Sequence, residues 1–166
     1  MLKLLIINLL LIAQLLFVVP IYAKQSIKVV IGIPTISDGD TIRIGDNRIR
    51  LNGIDAPESK QTCRRADGST WYCGWLSTLT LSDIINGDPI WCQWRSRDRY
   101  RRPLATCYRD GVDINEQMIR AGYALAYQRY SKVYVFGEAD AEARKAGVWQ
   151  GTFTTPWVWR QQRKRK

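Results

Sequence analysis

Histidine is absent from all 166 residues. That removes Ser-His-Asp triads, Cys-His pairs, paired-imidazole ribonuclease chemistry and histidine-ligated metals. Any catalysis must run on carboxylates, Arg, Lys, Tyr or a metal-bound water. Acidic residues are also scarce, with 15 Asp and Glu against 25 Lys and Arg, a formal charge of +10. A surface that basic suits a polyanion, or at the least solubility or acidic lipid. Cysteine occurs four times, at 63, 73, 92 and 107, with no Cys-x-x-Cys spacing. No internal repeat is visible. The one long apolar run is Leu4 to Val19, preceded by Lys3 and followed by Pro20-Ile21-Tyr22-Ala23.

That run is short for a membrane span. It reads as a secretory signal occupying residues 1–23 and cleaved after Ala23, although Ile21 departs from the Ala-x-Ala ideal; an uncleaved N-terminal anchor is the alternative. Export to a periplasmic or extracellular space is therefore expected. Removing the segment takes away only Lys3, leaving 24 basic and 15 acidic side chains, +9. The remaining length supports one domain with a real core, expected over residues 24–153. The tail from Thr154 to Lys166 is rich in Trp and Arg, and five cations stand in its last seven residues. It is expected to be poorly ordered and to add binding rather than chemistry.

An oxidising compartment and an even cysteine count suggest two disulfides. Three pairings exist. Cys63–Cys73 closes a local loop, and Cys92–Cys107 joins two apolar runs that look like adjacent strands. A four-cysteine zinc site is the rival, weakened by the missing knuckle spacing.

The informative stretch runs from Asp38 to Glu58. Ile42 and Ile44 alternate with Thr41 and Arg43, and Ile49 and Leu51 with Arg48, Arg50 and Asn52, around Gly45-Asp46-Asn47. This is the pattern of a β-hairpin with one buried face. If Ile42 faces Leu51 and Ile44 faces Ile49, Asp40 stands opposite Gly53, with Asp55 a diagonal neighbour roughly 7–8 Å away. Two carboxylates then end two inward rows at one rim. A buried carboxylate pair needs a cation, and oxygen ligands favour Ca²⁺ or Mg²⁺. Pro57 stops the ladder where Glu58 must be aimed. Alternation alone points Arg50 away from both aspartates, unless Gly53 hosts a bulge.

Elsewhere, Ile27 to Ile36 reads as a strand with Pro34 near its end. Gly74 to Ile85 reads as a helix carrying Leu76, Leu79 and Ile84. Ile90–Trp94 and Leu104–Tyr108 read as a strand pair joined by a basic loop. Asp113 and Glu116 form a capping box for a helix with Ile114, Met118 and Ala121 on its stripe. A last helix is expected over Gly137 to Ala146. Five strands with intervening helices fit a small closed barrel.

The residues Asp38-Gly39-Asp40-Thr41, then Arg50 followed by Asp55 and Glu58, then Asp98-Arg99-Tyr100-Arg101-Arg102-Pro103-Leu104-Ala105, closely resemble the thermonuclease family of staphylococcal-nuclease-like enzymes. The resemblance runs from about Val29 to about Trp149. It implies an α+β fold, a five-stranded OB-fold β-barrel with three helices. It implies a Ca²⁺-dependent nuclease acting on DNA or RNA, with no protein partner and a monomeric state expected. Asp40 and Asp55 would be carboxylate ligands, joined by the backbone carbonyl of Ala56, where many relatives carry Thr. Glu58 would be the general base, and Arg50 and Arg102 would grip the phosphate. Arg99 and Tyr100 match substrate-contacting positions more loosely, and Tyr127 or Tyr130 would stack a base. The bland alternatives are a solvated cationic loop for Arg102 and a surface carboxylate for Glu58. The competing functions are a non-catalytic nucleic-acid-binding barrel and a membrane-tethered cationic module.

Overall fold

The computed structural model describes residues 26–164. The expected signal segment, 1–23, lies outside the described residues.

β1 (Lys28–Gly32) and β2 (Thr35–Asp38) are one run of chain broken at Ile33–Pro34. Proline has no N–H for a ladder, so the run changes partner there. β3 (Thr41–Ile44), β4 (Asn47–Leu51), the two-residue β5 (Ile54–Asp55), β8 (Ile90–Arg97) and β9 (Pro103–Arg109) follow. The main sheet runs β1-β8-β9-β4-β3-β2, with the short β10 (Val112–Asp113) on β9. Its two ends are thus halves of the same run, and counting them as one strand gives the expected five. Among the described residues only β4 and β9 pair in parallel, Arg50 with Leu104 and Leu51 with Ala105. A small sheet of β6 (Cys63–Arg65), β7 (Thr70–Trp71) and β12 (Gly151–Thr152) lies apart, and β11 (Leu125–Ala126) pairs with β5.

The hairpin register differs from the expectation by two residues. Ile42 faces Ile49, Ile44 faces Asn47, and Thr41 faces Arg50. The connection is a two-residue turn, Gly45-Asp46, with Gly45 at φ +54°. Asn47 therefore joins the ladder instead of the turn. A slip of two keeps every side chain on its face, so Ile42, Ile44, Ile49 and Leu51 are all buried as expected.

α1 (Cys73–Ile85) buries Ser77, Leu81 and Ile85, spaced by four, and leaves Leu79 exposed. The expected stripe of Leu76, Leu79 and Ile84 is a neighbouring face; Leu76 and Ile84 are only half-buried. The small Ser77 lets the helix approach closely and donates from Oγ to the Tyr123 carbonyl, 2.7 Å. α2 (Ile114–Arg120) starts at Asp113, whose Oδ1 accepts from the Glu116 amide at 3.0 Å. α3 (Val135–Ala143) begins two residues before, and ends three residues before, the expected span.

Both disulfides form as favoured, Cys63–Cys73 and Cys92–Cys107. No cysteine is left free, which removes the zinc alternative. The first pins the start of α1 to β6, and the second bolts β8 to β9.

The tail corrects another expectation. Residues Pro156–Lys164 form a helix, α4. Pro156 is buried at its first position, where proline's missing N–H costs nothing. Aromatic packing and ion pairs described below hold the helix against the barrel.

Candidate active site

Two turns and a helix terminus build the site. The first turn is Gly39-Asp40, where the Asp40 amide donates to Asp38 Oδ1 at 3.1 Å. The Asp40 carbonyl accepts from Leu51 N at 2.8 Å, fixing it to the end of β4. The second turn is Asn52-Gly53. Gly53 sits at φ +77°, and a Cβ there would lie 3.0 Å from the Tyr134 ring. Only glycine meets both conditions. The turn sends β5 back across the end of β4, bringing Asp55 within reach of Arg50. This resolves the alternation problem. The buried Asn115 holds the turn from behind, donating to the carbonyls of Asn52 (2.9 Å) and Ala105 (3.1 Å) and accepting from Cys107 N (3.2 Å).

Asp40 is 3% exposed and Asp55 fully buried. Arg50 bridges them, Nη1 to Asp40 Oδ1 and Nη2 to Asp55 Oδ1. Asp40 Oδ2 also accepts from the Ala56 amide at 2.8 Å, and Thr41 Oγ1 donates to Oδ1 at 3.1 Å. The two aspartates and Ala56 thus sit together, although Asp40 lies beside Leu51 and not opposite Gly53 as expected.

Glu58 follows Pro57 at the rim. Its backbone is clamped by Gln61, a fully buried residue not anticipated from the sequence. Gln61 Oε1 accepts from Glu58 N at 3.2 Å, Gln61 N donates to the Glu58 carbonyl at 2.6 Å, and Gln61 Nε2 donates to the Thr154 carbonyl at 2.6 Å. Gly74, at the start of α1, packs directly beneath, where a Cβ would stand 1.7 Å from the Glu58 carbonyl oxygen. Replacing Gln61 with Leu strands the Glu58 amide and the Thr154 carbonyl. A loss of about 1–3 kcal/mol is expected, read as a lower denaturation midpoint with an unchanged m-value. Gly74→Ala should displace Glu58 itself, lowering the cleavage rate by more than its effect on Tm accounts for.

A cation from the tail completes the cluster. Arg160 Nη1 donates to Asp55 Oδ1 (3.1 Å) and Glu58 Oε1 (2.7 Å), and Nη2 to Asp55 Oδ2 (2.7 Å). Burial works against its charge, but the bonds to Asp55 and Glu58 outweigh it and hold the guanidinium more firmly protonated than usual. The sequence signals were weak: a proline at a helix start and cations at helical spacing in a segment read as disordered.

Arg102 occupies separate ground. Its Nε and Nη2 contact Asp98 Oδ2 at 2.8 and 2.7 Å, and its guanidinium lies 5.5 Å from the Tyr100 ring centre. The Arg99 guanidinium lies 4.8 Å from the centre of the same ring. Burial would raise the Asp98 carboxyl. The amide and guanidinium of Arg102, with the Tyr100 amide, hold it below its ordinary value instead. The loop is therefore pinned at neutral pH and loosens only as the pH falls through that depressed value. Tyr127 and Tyr130 are together, edge to face at 4.9 Å. Trp157 of α4 stacks on Tyr127 at 5.6 Å, with an interplanar angle of 10°.

The donor set suits a hard divalent ion. Asp40 and Asp55 converge on the two prongs of a single guanidinium, and every side-chain donor is oxygen, the donor type that hard ions take. Among the described residues no group of three or more acidic or cysteine side chains forms a full cage. A backbone carbonyl such as that of Ala56, and water, would have to complete the shell.

A small barrel with two buried carboxylates, a rim carboxylate and arginines at one end is the architecture of an OB-fold nuclease. Residues 48–151 match the family model described as staphylococcal nuclease homologue. The chain is 38% identical over 131 residues to an uncharacterized endonuclease of Escherichia coli O157:H7, covering 74% of this chain and 79% of that protein. It is 36% identical over 124 residues to succinoglycan biosynthesis protein ExoI of Rhizobium meliloti (strain 1021), covering 73% and 65% respectively. It is also 30% identical over 129 residues to the probable staphylococcal-like nuclease CAN1 of Oryza sativa subsp. japonica, covering 76% and 36%. This chain belongs to the staphylococcal nuclease family and is a nuclease of that class.

Proposed function

We propose that the protein is an exported, Ca²⁺-dependent nuclease that hydrolyses phosphodiester bonds in DNA or RNA at the Asp40–Asp55–Glu58 cluster. The observation that carries this is the convergence of two buried aspartates on one guanidinium, with Glu58 at the rim beside them. Asp40, Asp55 and the Ala56 carbonyl would hold the ion, which when bound would neutralise charge on the phosphoryl oxygens and hold the attacking water.

The protein's own groups do the rest. Glu58 takes a proton from the water, whose oxygen attacks phosphorus as the bond to the leaving oxygen breaks. Arg50 lies against both aspartates and can turn one edge of its fork to a phosphate oxygen. Arg102 exchanges Asp98 for the phosphate and spreads the negative charge that grows in the transition state. Tyr100 and Arg99 line the approach, and Tyr127 and Tyr130 offer faces for a base. The two disulfides suit an oxidising compartment, which supports export through segment 1–23.

Incubating the protein with labelled DNA and RNA in Ca²⁺ tests the reading. Shortened products are expected. Retention of intact nucleic acid without cleavage would make the protein a binding module instead.

A further inference from the structure

Arg48, Arg97, Arg101 and Arg102 line one open pocket with Tyr100, and Asp46 is its single carboxylate. Among the described residues, Arg48, Arg97 and Arg101 have no carboxylate within ion-pair distance; the arginine pairs are made by Arg50, Arg102, Arg109, Arg120, Arg144 and Arg160. Two further features run against local preference. Arg43 stands directly opposite Arg48 across the β3–β4 ladder, a like-charge pair that sheets disfavour. Arg101 is held at φ +65°, a conformation ordinarily left to Gly or Asn, while its carbonyl accepts from Arg97 Nη1 at 2.6 Å. Conflicts of this kind gather where a ligand supplies the missing partner.

The position identifies that ligand. Arg48 and Arg50 share one face of β4, two residues and about 7 Å apart. Successive phosphates of an extended strand have comparable spacing. Continuing the parallel register of β4 and β9 sets Arg48 beside Arg102. We propose that this pocket is a second phosphate subsite, built by Arg48, Arg97 and Arg101, that takes the phosphate next to the scissile one on a single nucleic-acid strand. It rests on the nuclease reading above.

The test compares a dinucleotide, which has one phosphodiester, with an octanucleotide. In Arg48→Ala and Arg97→Ala the octanucleotide KM should rise about tenfold with kcat unchanged, and dinucleotide kinetics should stay at the parent level. The slope of log affinity against log salt should fall by about one per arginine removed. Equal losses on both substrates, or none on either, would overturn the subsite. Anisotropy with the octanucleotide in EGTA separates the two claims. Parent binding matched by both variants sinks only the subsite, whereas failure of the parent to cleave either substrate when Ca²⁺ is restored sinks the nuclease reading with it.

A second inference stands on α4 alone. Its Arg160 spans Asp55 and Glu58, covering the oxygens that an ion and a water would use. One helical turn earlier, Trp157 covers one face of Tyr127, a ring proposed above to stack a base. The helix is tethered at its start by buried Pro156 and by the Gln61–Thr154 bond. The geometry points to an intramolecular strap, a cation and an aromatic ring standing where ion and base would sit, which ligands must displace. A strap closed about nine-tenths of the time weakens apparent Ca²⁺ affinity about tenfold.

Calorimetric Ca²⁺ titration of the full chain without nucleic acid tests this. Arg160→Gln should tighten Ca²⁺ binding about tenfold. Trp157→Ala, which changes no charge, should tighten it in the same direction. Arg163→Gln, with the same charge loss on the exposed side of the helix, should leave it near the parent value. Amide exchange across 157–163 should quicken when Ca²⁺ is added to the parent. Tightening by Arg163→Gln equal to that by Arg160→Gln would reduce the effect to net charge and overturn the strap. Unchanged binding in both Arg160→Gln and Trp157→Ala would overturn it too and leave the nuclease reading intact. Absence of Ca²⁺ binding in every version would overturn both.

Discussion

Glu58→Gln is expected to slow single-turnover cleavage by about 10²–10⁴-fold, the usual worth of a positioned base. The amide keeps the size of the side chain and its place between Pro57 and the Gln61 clamp, so substrate affinity should change little. Glu58 presents its carboxylate at the rim, one-third exposed, while Asp40 and Asp55 are buried behind it. Glu58 combines contact with the arginine that binds Asp55 and access to a water. A variant within a few-fold of the parent rate would remove Glu58 from the mechanism and return the role to Asp40 or to a metal-bound hydroxide.

The second large effect is expected at the arginines. Lysine keeps the charge and loses the planar two-pronged donor. Arg50 uses that fork now, one prong on Asp40 and the other on Asp55. Arg50→Lys should therefore lose both rate and order in the site, with a loss of rate of at least about 10²-fold, the scale of removing one preorganised donor. Arg102 uses its fork on Asp98. If it turns to the phosphate as the bond breaks, Arg102→Lys should lose kcat far more than affinity. A near-normal Arg102→Lys enzyme would leave Arg102 as an ordinary member of a cationic loop. Comparing affinity with single-turnover rate in both variants decides between these outcomes.

The hairpin, the buried aspartates and both disulfide pairings were legible because each rests on short-range rules. Period two put Ile42, Ile44, Ile49 and Leu51 on one face, and the two-residue slip in register left that face unchanged. The slip itself was not legible, since Gly45-Asp46-Asn47 suits either a two-residue or a three-residue turn. The buried face of α1 was misread because Leu79 is more apolar than Ser77. Packing there selects a small residue able to lie against the Tyr123 carbonyl, and hydrophobicity alone does not report that. Arg50 could not be placed by alternation, because Gly53's left-handed turn is what returns Asp55 to it. Gln61 was missed since a buried glutamine carries no periodic signal; its value lies in joining the Glu58 amide, three residues away, to the Thr154 carbonyl, 93 residues away. Arg160 and Trp157 were hidden in the same way. A basic, Trp-rich tail reads as solvated until the carboxylates and aromatic ring it meets, more than 100 residues earlier for Asp55 and Glu58, are folded into place.

The dependence of the single-turnover rate on free Ca²⁺, buffered with EGTA, tests the central claim most directly. A site built on Asp40 and Asp55 predicts no cleavage above background in excess EGTA and a rate that rises to saturation as free Ca²⁺ is restored. Cleavage that proceeds at the full rate in excess EGTA, with no other metal present, would contradict it.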